Sequence, residues 1–350
     1  MMPIAVRASG LVTALGYNGP ASLAAMRAGL SGVAQTRWQD FETGKPVRGA
    51  KVDLPQWWDG VGKLAELLAP AVWECLQALG GADAAASTPI VVGVSVPQRP
   101  GRPADLDAEL LPELYARLGC AVHPLSRLCP GDQVAGWVAL AQARQWLATG
   151  EARHVVVAGV DSYLQAPTLR AYADQRRLHT PANSNGFFPG EAAAAVLVGP
   201  AGGDDELRVL GWGHGVEPST PTNFEPLRAH GLSDAMRQAL AQAEVGLHQV
   251  AYRLTDLSGE HYKFKEAAFA AGRLNGGERS QPLDLWHPVE HLGEVGAAIV
   301  PCLLAQALHA GREAYAPGPL SLCHVGSDAG ARAALVLGYR GPPDLLPGGW

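Results

Sequence analysis

The side chains that could do chemistry are few and scattered. Cys129 stands in the segment SRLCPGDQ, just ahead of a helical pattern that starts near Asp132. A thiol at the mouth of a helix is a nucleophile in the making, because the helix dipole and the free N–H groups favour the thiolate. Against that, Pro130 and Gly131 favour a turn, and Asp132 has the character of an N-cap that puts Gln133 at the first helical position. Cys129 then reads as a semi-buried, unreactive thiol at a strand end. His261 and His291 are the imidazoles that could serve such a thiol as bases; both also read as ordinary loop or surface histidines. His287, Glu290 and His291 spell H-x-x-E-H, the inverted zinc motif. Zinc would require a further ligand from a following helix, and Pro288 would have to fit the first turn. The match is read as chance, and no metal or cofactor is expected.

The elements that must position these groups follow from hydrophobic periodicity. Strand-like runs occur at Ile4–Ala8, Ile90–Val96, His154–Val160 and Ala192–Val198, with helical patterns at Pro20–Gly29, Val61–Leu79, Ala104–Leu118 and Asp132–Ala148. After residue 200 the strands are expected at Leu207–Gly211, Ala251–Leu257, Leu320–Val325 and Arg332–Leu337, and the helices at Leu232–Ala243, Lys263–Gly272 and Gly293–His309. Strands and helices alternate in both stretches, which favours layered α/β structure. The linker-like GPAGGDDE (199–206) divides the chain into halves, 1–200 and 201–350.

Composition narrows the function classes. In 350 residues the charged fraction is 17%, below the usual quarter, so much surface is expected to be buried in a core or a subunit interface. The net charge of −6 and the lack of a basic run exclude a nucleic-acid or anionic-membrane partner. Five dispersed cysteines suit a reducing compartment without a disulfide framework. The start, MMPIAVRASGLVTALG, reads as a strand rather than a signal peptide, and the apolar run Gly296–Leu308 is too short to span a bilayer. The expectation is a soluble, cytoplasmic, oligomeric protein.

Three segments carry a family resemblance. GDQVAGWVALAQARQWLATGEARHVVVAGVDSYL (131–164) and GFFPGEAAAAVLV (186–198) are similar to the core of β-ketoacyl synthases in the thiolase-like superfamily. LCHVGSDAGARAALVLGY resembles their closing hairpin. The resemblance implies an α/β thiolase-like fold, two similar βαβ halves forming a layered α-β-α-β-α body. It also implies where a Cys-His-His catalytic set would stand. Counting back from Gly150 puts Gln133 at the cysteine position. Ser258, before Gly259, falls at the first histidine, and Glu290, in a register fixed by Gly293 and Gly296, at the second. Gln133 in this helix resembles the chain-length-factor subunits that pair with active ketosynthases and typically carry Gln for Cys. In this context Glu191 and Asp161 read as structural groups that bond the backbone. The resemblance therefore implies a noncatalytic partner or scaffold subunit, in a homodimer or a heterodimer with an active ketosynthase, with an acyl carrier protein as a further partner. Gln133, Trp137 and Glu290 would fill the pocket, and His154–Val160 would pair across a two-fold axis. The alternative is an active, divergent synthase using Cys129 with His291 and His261.

Overall fold

Every residue from Glu191 to Gly199 is buried, as a strand covered on both faces requires, and the sheet is built outward from that strand. The computed structural model describes residues 3–55, 59–223, 225–277, 279 and 282–341. The strands are β1 (Ile4–Thr13), β2 (Val33–Gln39), β3 (Pro46–Ala50), β4 (Ile90–Val94), β5 (Arg127–Pro130), β6 (Val155–Ser162), β7 (Glu191–Pro200), β8 (Glu206–Val216), β9 (Tyr252–Thr255), β10 (Asp284–Trp286), β11 (Leu320–Gly326) and β12 (Ala331–Arg340). The helices are α1 (Gly19–Arg27), α2 (Val61–Gln77), α3 (Ala82–Ala85), α4 (Leu106–Leu118), α5 (Ala135–Thr149), α6 (Ala166–Asp174), α7 (His230–Gln242), α8 (His261–Leu274), α9 (Val289–Leu292) and α10 (Ile299–Arg312).

Ten strands form one sheet in the order β5-β4-β6-β7-β1-β8-β12-β11-β9-β10, and β2 and β3 make a separate hairpin. The order is a palindrome of roles. From β1 outward, β7 and β6 join by antiparallel pairing, then β4 and β5 by parallel pairing. From β8 outward, β12 and β11 are antiparallel, then β9 and β10 parallel. The seam between the two sets is short, Ile4–Val6 of β1 against Val209–Leu207 of β8.

Alternation along the strands sorts the side chains into layers. Ala194 and Val196 of β7 and Leu335 and Leu337 of β12 face a middle layer containing α5 and α10. Ala193 and Ala195 face α2 and α4 on one outside, and Ala334 and Val336 face α7 on the other. The result is the expected α-β-α-β-α stacking. In the middle layer α5 and α10 touch at Gly136, where a Cβ would lie 2.6 Å from Val300 Cβ; only a missing side chain permits that approach.

Three expectations change. The helices foreseen from Asp132 and from Gly293 begin later, each behind a 3-10 turn, at 132–134 and 296–298. β5 and β10, of four and three residues, were not foreseen. β6 lies between β4 and β7 with both edges paired, so His154–Val160 has no free edge to offer a two-fold partner. The free edge on that side of the sheet is β5. No helix among the described residues is long and apolar enough to cross a membrane.

Candidate functional site

The turn 132–134 delivers the chain into α5 and fixes the first group of side chains. Asp132 has φ 49, a left-handed conformation unusual for a residue with a Cβ. Its carboxylate accepts the Val96 N–H at 3.1 Å. Gln133 is 2% exposed; its Nε2 donates to Tyr163 Oη at 3.3 Å, while its buried Oε1 has no hydrogen-bond partner among the described residues. The Tyr163 ring lies 3.7 Å from the Arg99 guanidinium. Arg99 donates to both oxygens of Asp161, at 2.7 and 3.1 Å, and stands 3.6 Å from Asp132. Asp161 also accepts the Ala297 N–H from the start of the α10 segment at 3.1 Å, which ties the two halves together. Burial pushes the Asp132 carboxyl up to about 6, with Arg99 opposing the shift.

A second group comes from the C-terminal half. Asp256 follows β9, and Lys263 sits on the buried face of α8. Lys263 Nζ donates to Asp256 at 3.0 Å and lies 3.6 Å from Glu294. The same Asp256 oxygen accepts the Gly326 N–H at 3.2 Å, and Glu294 accepts the Gly296 N–H at 2.9 Å. Burial raises the Glu294 carboxyl, with Lys263 opposing. Burial alone would lower the Lys263 ammonium, but Asp256 and Glu294 outweigh it and hold it well above its ordinary value.

Arg177, in the segment after α6, joins the groups. It donates to both oxygens of Glu260 at 2.8 Å and to both of Asp328 at 2.6 and 3.0 Å. Tyr262 Oη adds a bond to Asp328 at 3.2 Å. For Asp328, burial is outweighed by Arg177 and the carboxyl is lowered. Beside this network, Asp256, Lys263, Tyr262, Glu266, His324 and Arg332 border a cavity of about 10 Å³, room for a single water. His324 there is held neutral, burial pushing it down to about 3.

The residues singled out from the sequence are dispersed by the fold. Gln133 and Ser258 are buried, and Ser258 Oγ has no hydrogen-bond partner among the described residues. Glu290 corrects its expectation: its side chain is 54% exposed on α9, paired with His291 at 3.4 Å and close to His287 at 4.0 Å. The buried carboxylate of that loop is Glu294, which follows the left-handed turn at Gly293 (φ 67). Trp137 is also corrected. It turns away from the α5 start to meet Trp212 at 6.0 Å and His214 at 5.7 Å on β8.

Cys129 and its proposed imidazoles do not assemble. Cys129 is buried in β5 against the middle layer, and burial raises its thiol despite Arg127. Among the described residues no hydrogen bond links it to an imidazole. His261 is exposed at the first position of α8, and His291 pairs with Glu290. No described group of three or more His, Cys, Asp or Glu is placed to hold a metal. Glu191 and Asp161 do bond the backbone, at Val52 and at Ser162 and Ala297, but each also holds a cation, Lys63 at 2.5 Å and Arg99.

Sequence reasoning missed Arg99, Arg177, Asp256, Lys263, Glu294 and Asp328. One signal was available: Lys263 and Glu266 fall on the periodic core face of α8 with Ala267 and Ala270, and charged residues there require buried partners.

Comparison with known proteins gives the setting. The family model of the beta-ketoacyl synthase, N-terminal domain, matches residues 133–201. A search of curated protein sequences finds no match. The fold is similar to a chain of the ketosynthase ApeO in complex with its chain length factor ApeC from Xenorhabdus doucetiae, with TM-score 0.73 and 14% identity over 97% of this chain and 98% of that one. It is similar to the ishigamide ketosynthase/chain length factor, with TM-score 0.70 and 20% identity over 97% and 100%. It is also similar to the type II complex AntDE:AntF, an acyl carrier protein with its hexaketide-bound ketosynthase, with TM-score 0.77 and 12% identity over 97% and 99%. The chain thus has the fold of these ketosynthases along nearly its whole length and matches the beta-ketoacyl synthase N-terminal family model over residues 133–201.

Proposed function

We propose that this chain is a noncatalytic, chain-length-factor-like subunit that works as the structural partner of an active ketosynthase, with acyl carrier protein delivering to the pair. The observation that carries the reading is Gln133. Its amide has no ionisable proton and no lone pair basic enough to attack a thioester, and it stands at the helix start where acyl transfer needs a thiolate. Around it are Tyr163 and the carboxylates beside Arg99, Asp132 and Asp161, a set that contains neither a thiol nor an imidazole. The relatives' names support the partner: a ketosynthase with its chain length factor, and a carrier protein with its ketosynthase. The open edge of β5 is a strand edge that needs covering, and there we place the contact.

Coexpression with candidate ketosynthases tests this. The expected outcome is a stable heterodimer burying more than about 2,000 Å², in which malonyl condensation requires the partner's cysteine and the chain alone condenses nothing. Condensation by the chain alone, abolished by Cys129→Ala, would replace this reading with an active synthase. A stable homodimer that ignores every ketosynthase would make it a scaffold for itself.

A further inference from the structure

We infer that the start of α5 is sealed by an aromatic plug latched by Arg177, so that this chain admits no acyl group at its own helix mouth. The inference rests on the reading of Gln133 as a noncatalytic position and adds a physical barrier to it.

The plug is contiguous. Gln133 donates to Tyr163 at 3.3 Å. Tyr163 packs on Tyr172 at 5.5 Å and edge-on to Phe187 at 5.6 Å, and Tyr172 and Phe187 meet at 5.2 Å. All three rings are buried to 5% exposure or less. The Arg177 guanidinium lies outside them, 5.2 Å from the Tyr172 ring and 5.6 Å from Phe187. Its four donated bonds anchor it to Glu260 at the head of α8 and to Asp328 in the β11–β12 turn, two points far apart in sequence from each other and from Arg177. The segment behind it is pinned as well, through Phe187 N–H to Arg177 O, His179 N–H to Phe187 O, and Asn185 Oδ1 accepting the His261 N–H.

Bidentate guanidinium–carboxylate pairs hold geometry as well as charge. Here one guanidinium serves two carboxylates, so displacing it breaks both pairs together and strands the buried Arg177 and Glu260, with Asp328 keeping only its bond from Tyr262. Tyr172 and Phe187 then have no room to swing aside. Glu260 and Asp328 are the groups that make the cover a wall rather than a lid.

The test uses a reporter thiol. In the full-length chain, Gln133→Cys should react with iodoacetamide about 100-fold more slowly than a free thiol, because alkylation must wait for local opening. Peptide mass at position 133 separates this signal from the native cysteines. Adding Arg177→Met should speed labelling at least about tenfold while a cooperative thermal transition remains. Should Arg177→Met fail to fold, Gln133→Cys with Asp328→Asn decides, since it removes one charged pair and leaves Arg177 with Glu260; it too should accelerate labelling. Labelling of Gln133→Cys within about tenfold of a free thiol, or no acceleration in the latch variants, overturns the seal. Neither result bears on the noncatalytic reading, which fails only if the unmodified chain condenses malonyl thioesters.

Discussion

The two halves bend their central helices into place in the same way and secure the bend by opposite means. Each helix, α5 and α10, is entered through a 3-10 turn, and the first residue of each turn is left-handed with the same φ of 49, Asp132 in one half and Gly296 in the other. At Gly296 a Cβ would fall 2.0 Å from Asp161 Oδ2, so the second half keeps the bend by omitting the side chain. At Asp132 the side chain is the anchor: it takes the Val96 N–H and stands beside Arg99, which offsets a conformational cost of about 1–2 kcal/mol. One carboxylate, Asp161, serves both sites, since it pairs with Arg99 and occupies the space beside Gly296. A duplicated backbone therefore does not imply a duplicated solution, and one half can shape the residue choice in the other.

The sharpest way to break this comparison is Gly296→Ala. It combines a left-handed φ with a collision that would displace Asp161 from Ala297 and Arg99, and a loss of at least about 3 kcal/mol in chemical denaturation is expected. A loss below about 1 kcal/mol would mean that the turn relaxes freely and the symmetry of the bends is incidental.

Gly136→Ala tests the contact between the paired helices. The added methyl meets Val300 and Pro301, and overpacking at a helix crossing should cost about 1–3 kcal/mol. Equal stability would show that α5 and α10 can separate without penalty.

The smallest effect is expected from Asp132→Asn, and it appears in the pH dependence. The native carboxyl titrates at about 6 against an ordinary 3.8, so the folded state binds this proton more tightly than the unfolded chain. Its contribution to stability is complete below the ordinary value and is lost as pH rises through about 6. The melting temperature of the native chain relative to Asp132→Asn should therefore fall between about pH 4 and pH 6.5, by the equivalent of about 1–2 kcal/mol. A flat difference would place the Asp132 charge in solvent-like surroundings.

The sheet was legible where strands are buried on both faces. β6 and β7 are unbroken apolar runs bounded by turn residues, and α5 shows clear periodicity ending at Gly150. β5 and β10 are too short to carry a pattern of their own; they exist because β4 and β9 offer them an edge. The place of Gln133 at the entry to α5 was legible, because the helix behind it fixes a count. The site was illegible at Glu290, because spacing alone does not show which acid of that loop faces inward. Arg177, Glu260 and Asp328 could not be found from spacing, because their relation exists only once the two sets of five strands have closed on one another.

The short seam between β1 and β8 governs the order in which the chain can be completed. Ile4 pairs with Pro200 on one side and with Val209 on the other, so β1 waits for about 200 further residues before either neighbour is available. Contacts so distant along the chain slow folding, and until they form, the apolar Ile4–Val6 edge and its partner β7 stay open to wrong pairings. Synthesis of this protein should thus pass through a long interval in which its eventual centre is still unpaired.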